Sequence, residues 1–338
     1  MGSIFARNPM GIKDDNNWQD EIRQAFRDPS DLASHLGLSP SQLPALPEDS
    51  TFPLMVPRGF ADRMAKGDPH DPLLRQVWPE RSESVMQADE LSDPVGDLSA
   101  RKAPGLLQKY QGRALVVATG ACAVHCRYCF RQNFPYDESA RSHDEWTAQL
   151  DSIRQDLSLR EVVLSGGDPL SLPDSVIERR LADLGEVEHL ATLRIHTRLP
   201  VVVPSRVTAG LCRILSNTWL RKVVVLHANH ASEIDASVAS AVSRLREAGA
   251  TVLNQSVLLA GVNDSVYALE GLSHALWSAG VLPYYLHALD RVRGSSRFAV
   301  PDDDGIRLIE TLRTRLPGYL VPRLVREVEG AESKTPLG

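Results

Sequence analysis

From residue 114 onward the chain alternates short apolar runs with longer stretches of helical periodicity. The runs begin at Ala114 (ALVVATG), Glu161 (EVVLSGG), Thr192 (TLRIHTR), Lys222 (KVVVLHAN), Thr251 (TVLNQSVLL) and Leu282 (LPYYLHALD). The last five starts are separated by 31, 30, 29 and 31 residues. A strand, a crossover helix and two turns take about 30 residues, so this is the spacing of consecutive βα units. The runs are apolar on both faces, as strands covered by helices must be. Segments such as Ile234 to Ala248 carry the helical period between them. The first gap, from Ala114 to Glu161, is longer and contains a cluster of cysteines.

The preceding residues follow another pattern. Trp18, Ile22 and Phe26 recur every four residues, which predicts one face of a helix. Asp28-Pro29-Ser30 breaks it, and Leu32 and Leu36 continue in a second short helix. Pro40 to Pro57 reads as a proline-studded connector, and Asp68 to Pro72 as a loop leading into Leu73, Leu74, Val77 and Trp78. Residues 1–110 are therefore expected to form an N-terminal helical extension, and residues 111–318 the βα unit.

A run of six βα units fits either an open doubly wound sheet or a curved one, and the period alone does not separate them. The polar residues do. Each run ends in groups capable of chemistry: Cys122, then Ser165-Gly166-Gly167-Asp168, His196, His227, Gln255, and His287 with Asp290. Function gathered at the carboxyl ends of successive strands is the arrangement of a βα barrel. The expected fold class is α/β, a partial parallel (βα)6-type barrel with an N-terminal helical extension.

Composition narrows the partners. The 338 residues are 43% hydrophobic and 24% charged, enough for a packed core. No apolar run approaches the ~18 residues of a membrane span. Met1 to Met10 has no basic-then-apolar design, so no leader is expected. Lys and Arg number 37 against 43 Asp and Glu, a net charge of −6 with no basic block. That balance argues against nucleic acid and favours a small molecule.

Of four cysteines, three fall within eight residues, as Cys122-Ala-Val-His-Cys126-Arg-Tyr-Cys129. A disulfide framework spreads its cysteines, whereas this clustering suggests a metal or cluster site in a reducing cytoplasm. Three thiolates on one loop suit zinc or an iron–sulfur cluster. Zinc with His125 as a fourth ligand and ordinary core thiols both remain open on spacing alone. Cys212 reads as a small buried hydrophobe.

CxxxCxxC with Tyr128 before the last cysteine resembles the signature of the radical S-adenosylmethionine enzymes. The resemblance implies a [4Fe–4S] cluster on Cys122, Cys126 and Cys129, with S-adenosylmethionine on the open iron. It also implies that Tyr128 lies beside the adenine, and that Gly166, Gly167 and Asp168 form the glycine-rich element holding the methionyl end. His227 and Gln255 are the further cofactor-binding positions.

More of the chain is similar to the lysine 2,3-aminomutase family. The resemblance is carried by Arg113 to Arg131 with Tyr110 before it, Asn254-Gln255-Ser256, Pro283-Tyr284-Tyr285 and Ser333-Lys334-Thr335-Pro336. It runs from about residue 68 onward, and it is strongest to the short bacterial members that make β-lysine for elongation factor P. It implies pyridoxal phosphate on Lys334, which composition alone would leave as a solvated tail residue. Tyr110 would pack against the pyridine ring and Arg113 hold the phosphate. Arg206 is open between the phosphate, another carboxylate and a structural ion pair. Residues 319–338 would fold back over the barrel mouth, with Tyr319-Leu320-Val321 as a last strand.

For substrate, Arg131 matches the family's carboxylate clamp, while Asp290 and Glu327 would hold the ammonium of L-lysine. Glu327 stands where an aspartate is usual, and Asp290 can equally be read as a helix N-cap. Implied partners are an electron donor such as flavodoxin or ferredoxin, and a functional link to elongation factor P and its lysine ligase. Larger members carry a cysteine-rich zinc site after this region, and Ser265 stands where a partner cysteine is expected. Neither zinc nor the family's tetramer is therefore expected. Two alternatives stay in view: a radical aminomutase of another amino acid, and a non-catalytic metal-binding scaffold.

Overall fold

The computed structural model describes residues 17–48, 52–85, 87–136 and 143–338. Met1 to Met10, over which no leader is expected, lies outside these residues. Its strands are β1 (Arg101–Ala103), β2 (Leu106–Leu107), β3 (Arg113–Thr119), β4 (Glu161–Gly166), β5 (Thr192–Thr197), β6 (Arg221–His227), β7 (Ala250–Val257), β8 (Leu282–His287), β9 (Arg323–Arg326) and β10 (Thr335–Pro336). They form one ten-stranded sheet in strict chain order. Each neighbouring pair from β3 to β9 is parallel, with β1 and β2 antiparallel at one edge and β10 antiparallel at the other. A doubly wound sheet reverses its strand order at a switch point. This one never reverses, so all crossovers cover a single outer face and the sheet curves into a partial barrel.

The crossovers are the helices His143–Gln155, Asp174–Gly185, Ala209–Asn217, Ala236–Glu247, Val266–Ser278 and Asp302–Arg315. Their apolar stripes pack on the strands; Ile177, Leu181 and Leu184 are buried from one, and Val238, Val242 and Leu245 from another. Side-chain oxygens start several of them, satisfying amides that helical bonding leaves over. Asp235 accepts from the Val238 amide at 2.9 Å. Ser265 accepts from the Ala268 amide at 3.2 Å, a capping role that explains a serine at that place. Asp290 begins no helix, since the next helical turn starts at Ser296 with Ser295 before it. The N-cap reading of Asp290 is set aside.

Three local expectations need correction. Trp18 and Ile22 lie on the helix Asn17–Arg23, but Phe26 falls beyond its end and bridges to Val56. Asp28 accepts from the Ser30 amide at 2.7 Å and caps the next helix, Pro29–Leu36, so the chain must leave the first helix before that cap. Second, the sheet starts at Arg101, before residue 111, on strands too short to show a period. Third, Tyr319-Leu320-Val321 is not the last parallel strand. Gly318–Leu320 is a 3₁₀ turn, and Tyr319 is 57% exposed. Pro322 has no amide to give a ladder, and β9 begins just after it with Leu324 and Val325 buried.

Arg206, left open above, is wholly buried behind the turn that follows β4. Its Nε donates to the Leu170 carbonyl at 2.5 Å, and its Nη2 pairs with Asp174 at 2.7 Å. Its guanidinium sits 4.5 Å from the Trp18 ring centroid. It ties the N-terminal helix to the barrel.

Candidate active site

The carboxyl ends of the parallel strands surround a cavity of about 410 Å³, within the range of small-molecule sites. Its walls bring together residues scattered over the chain. Cys122, Cys126, Tyr128, Cys129 and Arg131 come from the loop after β3, and Gly166, Gly167 and Asp168 from the end of β4. His227, Gln255 and Asp290 follow at the ends of β6, β7 and β8; Tyr110, Arg113, Glu327 and Lys334 complete the wall. Every candidate site residue except Arg206 therefore faces one space.

The cysteine loop is held close to β4 by glycines. Gly166 has φ +122°, and a Cβ on Gly167 would collide with the carbonyl of Ala121. The Gly167 amide donates to Thr119 and the Asp168 amide to Ala121, both at 2.7 Å. The Asp168 carboxylate accepts from the Leu170, Arg198 and Leu199 amides and the Thr197 hydroxyl, at 2.7–3.0 Å. Both oxygens are engaged, so Asp168 shapes the loop rather than offering a free carboxylate.

Burial raises the Cys122 thiol, and Cys129 raises it further. Burial and the neighbouring Cys126 push Cys129 up to about 12. The three cysteines line one cavity, and as soft anions their sulfurs need a cationic centre to stay ionised. Among the described residues no group of three His, Cys, Asp or Glu closes on a single metal ion. One cation is already there: Arg198 Nη1 donates to Cys126 Sγ at 2.7 Å. The donor set fits a thiolate-held cluster.

Around Tyr128 lies a polar network that the sequence did not announce. Its hydroxyl meets Gln76 at 3.1 Å, His227 Nε2 at 2.9 Å, Arg198 Nη1 at 2.7 Å and Asn229 Nδ2 at 2.6 Å. Arg198 Nη2 pairs with the fully buried Glu233 at 3.0 Å. Burial pulls His227 down to about 3, which leaves its ring neutral. Gln76 and Glu233 lie far from the cysteines in sequence and in no motif, so only the fold reveals them.

At the opposite wall β10 pairs with β9 and brings the tail back over the mouth. Lys334 Nζ forms an ion pair with Glu327 and lies 5.8 Å from the Tyr285 ring centroid. Tyr110 Oη donates to Glu327 Oε1 at 2.6 Å. Burial pushes the Glu327 carboxyl up, and Lys334, Tyr110 and Lys109 together more than reverse that. The Arg113 guanidinium stands 5.2 Å from the Tyr110 ring centroid and faces the cavity. His196 Nε2 and His287 Nε2 line the same space, buried and without a hydrogen-bond partner. Orphaned buried nitrogens indicate a polar occupant. An amine, a free guanidinium and unsatisfied imidazoles fit an anionic aldehyde cofactor.

Two further charges close the site. Arg131 is buried, with Nε on Asp97 Oδ2 at 2.7 Å and Nη1 on Ser165 Oγ at 3.0 Å. Burial lifts Asp290 to about 7, only partly opposed by Lys334. Its carboxylate has no hydrogen-bond or ion-pair partner among the described residues, so it is available to a ligand.

Comparison with known proteins agrees with this geometry. Residues 116–215 match the model of the radical SAM superfamily. The chain is 43% identical over 339 residues to the L-lysine 2,3-aminomutase of Escherichia coli (strain K12), covering 100% of this chain and 98% of that protein. The corresponding protein of Haemophilus influenzae is 42% identical, with 98% of each chain covered. That of Clostridium subterminale is 32% identical, with 95% of this chain and 78% of that one covered.

Proposed function

The chain belongs to the lysine 2,3-aminomutase family of radical SAM enzymes, and on that premise we propose that it moves the α-amino group of L-lysine to the β-carbon, giving β-lysine. The observation that carries this reading is the position of Lys334, whose amine enters the same cavity as the three cysteine thiols.

Cys122, Cys126 and Cys129 would hold a [4Fe–4S] cluster, and Tyr128, Gly166, Gly167, His227 and Gln255 would line the S-adenosylmethionine. Lys334 would hold pyridoxal phosphate, with Arg113 at its phosphate and Tyr110 at its ring. When bound, the cluster and S-adenosylmethionine supply hydrogen-atom abstraction, and pyridoxal phosphate supplies the π-system that makes the amino shift accessible.

The protein's own part is orientation and exclusion. Arg131 presents a planar donor fork to the substrate carboxylate. Asp290 and Glu327 meet the ammonium at the far end, where they repel an acidic side chain. His227 stays neutral and fixes the Tyr128 hydroxyl through its Nε2. Tyr128, stacked on His227 at 5.7 Å and edge-on to Phe298, keeps that corner of the cavity rigid and dry.

The sequence resemblance further supports a cytoplasmic enzyme reduced by flavodoxin or ferredoxin, whose β-lysine a ligase transfers to elongation factor P. The described residues include no helix long and apolar enough to cross a membrane. The direct test is anaerobic incubation of cluster-loaded and pyridoxal-phosphate-loaded protein with lysine, S-adenosylmethionine and a reductant. β-Lysine is the expected product; its absence from fully loaded protein rules the reading out.

A further inference from the structure

Between the two ends of the substrate site the charges form one connected chain. Arg131 Nε bonds Asp97 Oδ2 at 2.7 Å, and Lys109 Nζ bonds Asp97 Oδ1, also at 2.7 Å. The same Nζ donates to the Val95 carbonyl at 2.7 Å and lies 3.6 Å from Glu327 Oε1. Asp97 has a side chain only 2% exposed, and it remains ionised because Arg131 and Lys109 outweigh its burial. Lys109 is 20% exposed, Glu327 10%. These groups are too deeply placed for solvent to take over their partners, so each fixes the next.

Glu327 ends the chain in a specific way. Its Oε1 is occupied by Tyr110 and faces Lys109, while its Oε2 meets a primary ammonium, that of Lys334. With Lys334 engaged by its cofactor, Oε2 is left for an ammonium of the same kind on the substrate.

Resting on the reading of the site as a lysine aminomutase, we propose that Asp97 and Lys109 are positioning residues that hold Arg131 and Glu327 a fixed distance apart. They thereby select the diamino acid by chain length, lysine over ornithine, which is one methylene shorter. Lys109 is the link to change. Without its charge Glu327 keeps only Tyr110 on Oε1 and can swing, so a shorter substrate is no longer disfavoured and the longer one is held less firmly.

The experiment uses the fully loaded enzyme with Lys109→Met, Lys109→Arg and Asp97→Asn. It measures kcat and KM for lysine and ornithine, and equilibrium binding of each without reductant. Lys109→Met should weaken lysine binding and raise its KM roughly tenfold, with a smaller change in kcat. Its preference for lysine over ornithine should fall several-fold, Lys109→Arg should restore most of it, and Asp97→Asn should lower it likewise. Equal losses for both substrates, an unchanged preference, or no rescue by arginine overturns the proposal. Should Lys109→Met not fold, Asp97→Asn decides alone. Wild-type enzyme that converts lysine beside variants of unchanged preference removes only this inference. Wild-type enzyme that neither binds nor converts lysine removes the aminomutase reading with it.

Discussion

Arg198 bonds the Cys126 sulfur through Nη1 and the buried Glu233 carboxylate through Nη2, so one guanidinium joins the cysteine loop to the turn after β6. The arrangement compensates the buried Glu233 carboxylate with a buried cation that also reaches the Cys126 sulfur. Arg198→Met strands Glu233 without its partner, which is expected to cost roughly 3–5 kcal/mol. Urea unfolding checks this, with the double variant Arg198→Met/Glu233→Met expected to recover much of the loss. Iron and sulfide content of the single variant should fall with the loop's order.

Asp290 gives a pH signature of defined sign. Burial raises its carboxyl to about 7, so the folded protein keeps a proton that an unfolded chain releases near pH ~4. This group therefore contributes stability that declines as pH climbs from about 4 to about 7 and then levels off. Asp290→Asn should flatten that slope, measured by melting at successive pH values, and be the more stable form at pH ~8. On the proposed reading lysine requires the ionised carboxylate, so its binding should weaken up to roughly tenfold per unit below pH 7 in wild type and not in the variant.

Lys334→Ala is expected to abolish the visible absorbance of bound pyridoxal phosphate while leaving iron content near that of wild type. Colourless protein loaded with zinc instead of iron would favour a metal-binding scaffold.

Gly167→Ala places a Cβ against the backbone of Gly120 and Ala121. Because backbone rather than a flexible side chain must yield, the expected cost is about 1–3 kcal/mol. Displacement of the cysteine loop should also reduce S-adenosylmethionine affinity, which calorimetric titration of the cluster-loaded protein measures.

Arg206→Met supplies the contrasting case. It leaves the Leu170 and Leu172 carbonyls without their donor, at roughly 1–3 kcal/mol, and Arg206 is not among the residues lining the cavity. Stability should drop while iron and pyridoxal phosphate stoichiometry stay at wild-type levels; loss of pyridoxal phosphate instead would assign Arg206 to the phosphate after all.

The parallel strands were legible because each is long enough, and apolar enough on both faces, to repeat a period. β1, β2 and β10 were not, since two or three residues carry no period and only pairing defines them. The cysteine triad, Lys334 and the acids at 290 and 327 were visible through motifs. Gln76, Asp97, Lys109, Arg198 and Glu233 were not. Their importance lies in contacts between residues far apart in the chain, Asp97 with Arg131 34 residues on, Arg198 with Glu233 35 residues on and Gln76 with Glu233 157 residues on, and a lone buried arginine looks in sequence like any surface one. Tyr319-Leu320-Val321 misled because apolar character alone does not reveal that Pro322 holds off the ladder until Arg323.

The tail strand β10 consists of Thr335 and Pro336, with the Leu337 amide on the Leu324 carbonyl as its next tether. The amine proposed to hold pyridoxal phosphate thus hangs beside a two-residue strand at one edge of the sheet. On the proposed reading, fraying there and release of pyridoxal phosphate become a single event.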